Sequence, residues 1–121
     1  MPRDNRRAER VAAAIREEIA TALAGGVKDP RVSPLTTVTG VDVTPDLRRA
    51  RVFVSVMQGD IGPTLEGLND WGVHLRGPIG RALRLRLAPE LEFVRDDTAA
   101  RASRIESLLA QLRDGTTPEP E

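Results

Sequence analysis

Val41-Asp42-Val43-Thr44-Pro45-Asp46-Leu47-Arg48-Arg49-Ala50-Arg51-Val52-Phe53-Val54-Ser55-Val56-Met57 spells out a β-hairpin. From Arg49 to Met57 the residues alternate. Ala50, Val52, Val54 and Val56 point one way, and Arg51, Phe53 and Ser55 the other. Thr44 to Arg48 supplies the turn, with Pro45 suited to its first central position. The preceding run, Leu35 to Thr44, is rich in Val and Thr, with Gly40 as a candidate bulge. One face of this hairpin must be buried, so the flanking segments have to cover it.

Upstream, residues 5–24 form a predicted helix. Val11, Ile15, Ile19 and Leu23 make its apolar stripe, Asp4 or Asn5 its cap and Gly25-Gly26 its end. Residues 27–34 are a loop with two prolines. Downstream, 58–63 is a loop. Helical patterning begins near Thr64, is interrupted at Gly72, and continues through Leu75, Ile79, Ala82 and Leu83. Pro89 to Val94 reads as a strand. Thr98 caps a last helix bearing Ala102, Ile105, Leu108, Leu109 and Leu112, and Asp114 to Glu121 is a disordered tail. The predicted order is α-β-β-α-α-β-α, an α+β domain over residues 1–113.

The chain has 121 residues, room for one core. It lacks cysteine, which excludes disulfides and thiolate metal sites. No apolar run suits a signal peptide or a membrane span, so a soluble cytoplasmic protein is expected. Net charge is zero, yet 17 of the 18 basic residues are arginine. A GC-rich genome favours arginine codons, but arginine also suits bidentate recognition of phosphate. Residues 71–89 hold Arg76, Arg81, Arg84 and Arg86 and no carboxylate. On a helix, Arg76, Arg81 and Arg84 share one side, so phosphate binding is expected there. Three aromatic residues are too few for base stacking across a sheet.

Catalysis has little to work with. His74 is the sole histidine, and Asp70 lies one helical turn before it, without a nucleophile beside them. No phosphate loop or dinucleotide fingerprint occurs, and no cofactor, metal or small-molecule substrate is expected. Gly77-Pro78-Ile79-Gly80 fits the G-x-x-G clamp of KH domains, but so short a pattern is weak. Trp71-Gly72 is a second candidate break, and the residues do not choose between them. Besides RNA binding, a protein- or membrane-surface module built on the arginine-rich amphipathic helix stays open.

Several segments together resemble ribosome-binding factor A. They are Arg10-Val11-Ala12 with Ile15 and Glu18-Ile19; Val27-Lys28-Asp29-Pro30-Arg31; Val41 to Leu47 with Ala50, Val52 and Val54-Ser55-Val56; Leu75-Arg76 with Gly80, Leu83, Leu85 and Arg86; Pro89-Glu90-Leu91 with Phe93 and Asp96; and Arg104-Ile105 with Leu108-Leu109. The resemblance implies a KH-like type II fold, α-β-β-α-α-β, here with an added C-terminal helix. It also implies a monomeric, non-catalytic bacterial assembly factor. Its partners would be the free 30S subunit and 16S ribosomal RNA late in maturation, including processing of the 5′ end, with support of growth in the cold. The family's Ala-x-Gly kink falls at Asp70-Trp71-Gly72, where Gly72 matches and Asp70 departs. The expected RNA-binding residues are therefore Arg76, Arg81, Arg84 and Arg86, with Trp71 and Gly72 at the kink. Lys28, Arg31, Arg48, Arg49 and Arg51 form an expected second patch, which Arg6, Arg7 and Arg10 extend.

Overall fold

A computed structural model describes residues 2–97, with side chains from Arg6 onward. The expected C-terminal helix and tail lie outside the described residues. Within them the order is α1 (Pro2–Ala24), β1 (Thr36–Val43), β2 (Arg49–Val56), α2 (Ile61–Leu83) and β3 (Glu90–Arg95). The sheet runs β1-β2-β3. The first pair is antiparallel, the second parallel with α2 as its crossover.

The hairpin forms as its alternation requires. Ala50, Val52 and Val54 are sealed beneath the helices, and the Thr44 N–H closes the turn by donating to the Arg49 carbonyl at 3.0 Å. The register slips between Val38 and Gly40, which places the expected bulge. Phe53, on the other face, is also buried. α1 lies over β1 and α2 over β3. Ile15 and Ile19 meet Leu68, Ile79, Val52, Val54 and Phe93 in one core. Each such side chain, once buried, contributes about 1.5–3 kcal/mol.

α1 starts at Pro2, so Asp4 and Asn5 fall inside it instead of capping it. It ends at the two glycines, with Gly26 at φ 92°. The larger correction concerns α2. It is one helix, not two, and passes through Gly72 and Pro78 without a break. Gly77 and Pro78 sit on its exposed side, where water can satisfy the carbonyl that Pro78 leaves without a donor. Glycine and proline cost a helix about 1 and 3 kcal/mol. Trp71, Leu75, Ile79 and Leu83 all pack on the core beyond or beside them, and burying that stripe outweighs the cost.

Gly72 has a packing role. A Cβ there would lie 2.9 Å from Phe93 Cε1, so glycine lets α2 close onto β3. Asn69 completes that seam. Its Oδ1 accepts the Phe93 N–H at 2.8 Å and its Nδ2 donates to the Phe93 carbonyl at 3.3 Å, which satisfies backbone groups of an edge strand.

Candidate nucleic-acid interface

Topology sorts the charged residues by end. β1 and α2 run in opposite senses to β2, so the hairpin turn and the α2–β3 connector (residues 84–89) lie at the same end of the sheet. They touch there: Glu90 N–H donates to the Arg48 carbonyl at 2.8 Å. The N-terminus of α1 joins them. Asp29 sits within 3.3 Å of the Cβ position of Gly67, early in α2. Five residues from Ala24 to Asp29 span at most about 18 Å. The hairpin end lies roughly 24 Å along α2 from Gly67. α1 therefore ends at the far end of the sheet and runs back, bringing its first turns to the hairpin.

One end thus collects Arg6, Arg7 and Arg10 from α1, Arg48 and Arg49 from the hairpin, and Arg81, Arg84 and Arg86 from α2 and the connector. All eight are exposed, and among the described residues none makes a side-chain ion pair. Four carboxylates with described side chains, Glu9, Asp42, Asp46 and Glu90, share this end. Asp46 is engaged in the turn, where it accepts the Thr44 hydroxyl at 2.6 Å and the Arg48 N–H at 3.0 Å. Those bonds, the hydroxyl's first, hold its pKa below the usual carboxylate value. The opposite end holds Asp29, Asp60, Glu66, Asp70, Asp96 and Asp97 with Lys28, Arg31 and Arg95. Among the described residues positive charge is thus in excess at the hairpin end and negative charge at the other, a distribution that favours anions at the basic end.

The arginines of the carboxylate-free segment are not arranged as helical spacing predicts. Arg84 lies just past α2 in the left-handed region, φ 56° and ψ 41°. Leu85 N–H donates to the Gly80 carbonyl at 2.8 Å and Arg84 N–H to the Arg81 carbonyl at 3.3 Å, a Schellman closure with arginine where glycine is usual. Arg86 follows in the connector. Arg76 turns back into the protein: its Nη2 donates to the Ala88 carbonyl at 2.8 Å, and its buried Nε has no partner. It braces the connector more than it offers charge to solvent. Leu47, in the hairpin turn, is the other non-glycine residue with positive φ among the described residues, at 61°. Both strained positions lie at the basic end. One local signal pointed to Arg84: the apolar stripe stops at Leu83 with no glycine after it.

The expected second patch is not one surface. Arg31 belongs to the other end and is neutralised by acids. Its Nη2 lies 2.7 Å from Asp29 and 2.8 Å from Asp70, and Nη1 4.0 Å from Glu66. The hydrogen bonds to Asp29, then to Asp70, raise its pKa. The Arg31 side chain, then its backbone N–H, lowers Asp29 to about 2. Lys28 lies beside it, at the opposite end of the sheet from Arg48 and Arg49. Arg51 faces Glu92 at 3.6 Å. Trp71 packs its ring 6.1 Å from that of Phe93, and Gly72 is buried beneath the same ring. Asp70 pairs with Arg31, so the helical pair with His74 does not form and His74 loses its orienting carboxylate. Among the described residues no group of three or more His, Cys, Asp or Glu side chains could hold a metal ion.

Comparison with known proteins agrees with the fold. The family profile of ribosome-binding factor A matches residues 7–109. A ribosome-binding factor A from Gemmatimonas aurantiaca is 56% identical over 111 residues, covering 90% of this chain and 76% of that protein. The crystal structure of ribosome-binding factor A from Thermus thermophilus aligns with a TM-score of 0.62 at 26% identity, over 73% of this chain and 94% of the other. A Thermus thermophilus homology model fitted into a cryo-EM map of a 30S complex aligns with a TM-score of 0.52 at 28% identity, over 67% and 90%. The chain belongs to the ribosome-binding factor A family.

Proposed function

We propose that this chain binds the small ribosomal subunit late in its assembly, by gripping ribosomal RNA with its basic end. The observation that carries this reading is the gathering of eight exposed arginines from three separate segments, none in a side-chain ion pair among the described residues. Guanidinium groups make bidentate bonds to phosphate. The Thermus thermophilus relative has been fitted into a 30S complex, which supports the same partner here. The RNA would be 16S, near its 5′ end, and the role would include processing of that end and support of growth in the cold. The protein acts as a cytoplasmic monomer by occupancy, without turnover. The KH-like type II description suits α1, the hairpin, α2 and β3, with the interhelical kink replaced by a continuous helix.

No helix among the described residues is long and apolar enough to cross a membrane. Arg84 and Arg86 lie past the end of α2, off a single helical face, which supports the RNA reading over a surface module built on an amphipathic helix. The test is sedimentation with immature 30S subunits. Replacing Arg81, Arg84 and Arg86 by alanine should leave thermal unfolding intact and strip the protein from the subunit peak. If about five phosphates are contacted, log K should fall with log salt at a slope near −3.5 to −4.5. Undiminished cosedimentation of the triple variant would overturn the assignment.

A further inference from the structure

The α2–β3 connector holds out one large apolar side chain among its arginines. Leu87 is 73% exposed, next to Arg86 and three residues after Arg84. A lone exposed leucine is usually unremarked surface. Here the backbone beneath it is fixed from both sides. The Schellman closure pins Arg84 and Leu85 to α2. Ala88 and Pro89 are buried, Arg76 donates to the Ala88 carbonyl, and Glu90 N–H is tied to the hairpin. Arg84 is kept in a left-handed conformation that an L-residue adopts only at a cost. Leu87 thus stands in a short segment anchored on both sides, with its side chain presented to solvent.

We infer that Leu87 is an apolar contact for an unpaired nucleobase, with Arg84 and Arg86 on the flanking phosphates. The inference rests on the reading of the basic end as an RNA surface and adds a preference for unpaired nucleotides. Charge complementarity selects the occupant, because a nucleic acid offers an apolar base face and anionic phosphates within one nucleotide. In single-stranded loops and bulges the bases are unstacked and splayed out, so that a base face is free to pack on a side chain. A fully paired duplex keeps its base faces stacked and offers Leu87 nothing.

The test uses the full 121-residue chain and two fluorescein-labelled RNAs of equal length, one with an unpaired internal loop and one fully paired. Wild-type protein should bind the looped RNA more tightly. Leu87→Ala should weaken that binding roughly fivefold, from the loss of one or two buried methylenes. It should leave duplex binding and the salt slope unchanged, whereas Arg84→Ala and Arg86→Ala should each flatten the slope by about 0.7–0.9. If Leu87→Ala binds the looped RNA as well as wild type while the arginine variants weaken, the base contact is refuted and the RNA surface stands. Equal loss on both RNAs also refutes it. If neither arginine variant changes affinity or slope, both readings fall together.

Discussion

Arg84→Gly should make the protein more stable and a poorer RNA binder. Arg84 occupies φ 56°, ψ 41° at the glycine position of a helix C-terminal closure. An L-residue in that region is disfavoured by about 1–2 kcal/mol. Glycine relieves this, and gives back about 0.4–1 kcal/mol through a freer unfolded chain. The net gain is about 0.5–1 kcal/mol. For a domain near 100 residues that raises Tm by roughly 2–8 °C. The same change removes one guanidinium from the basic end, which should weaken 30S binding severalfold and flatten its salt slope by about 0.7–0.9. Thermal unfolding by circular dichroism and sedimentation across a KCl series read the two effects separately. A lower Tm would refute the relief of strain at Arg84. Unchanged binding and slope would refute the role given to the side chain.

Gly72→Ala pushes a methyl to within 2.9 Å of Phe93 Cε1 and should cost about 1–3 kcal/mol, read as a lower denaturant midpoint. Asn69→Ala strips the partners from Phe93 N–H and C=O and should cost about 1–3 kcal/mol, with faster amide exchange at Phe93. Leu47→Gly relieves the positive φ of 61° in the hairpin turn and should raise Tm without changing RNA affinity, because no charge is lost. The Asp29 carboxyl titrates near 2 in the folded protein against 3.8 for the free side chain. The stability it lends is complete above about pH 4 and is lost as pH falls toward about 2, so the Tm difference between wild type and Asp29→Asn should vanish over that window.

The hairpin, the apolar stripe of α1 and the strand that forms β3 could be read from local periodicity, because each needs only its own residues. Gly40 as a bulge and Gly25-Gly26 as a stop are likewise local. The continuity of α2 was not legible. Gly72 and Pro78 look like breaks until Phe93, on β3, is seen to need the space at Gly72 and Ile79 is seen to be buried. Arg31 reads as part of a basic patch although Asp29, its first partner, is only two residues away, and its second, Asp70, is 39 residues away and brought close only by the fold. The arginines of residues 71–89 do not share the helical face that their spacing implies. Helical spacing grouped Arg76 with Arg81 and Arg84, but the helix ends before Arg84, and Arg76 turns inward to Ala88. The wider basic end depends on α1 running back to the hairpin, which no local pattern encodes.

Placing a photocrosslinker separately at Arg86 and at Lys28 in the full chain, then irradiating complexes with small subunits, asks which end of the molecule meets RNA. Position 86 should yield protein joined to ribosomal RNA, and position 28, at the acid-rich end, should yield none. RNA adducts from position 28 alone would place the interface at the wrong end of the fold and contradict recognition of RNA by the gathered arginines.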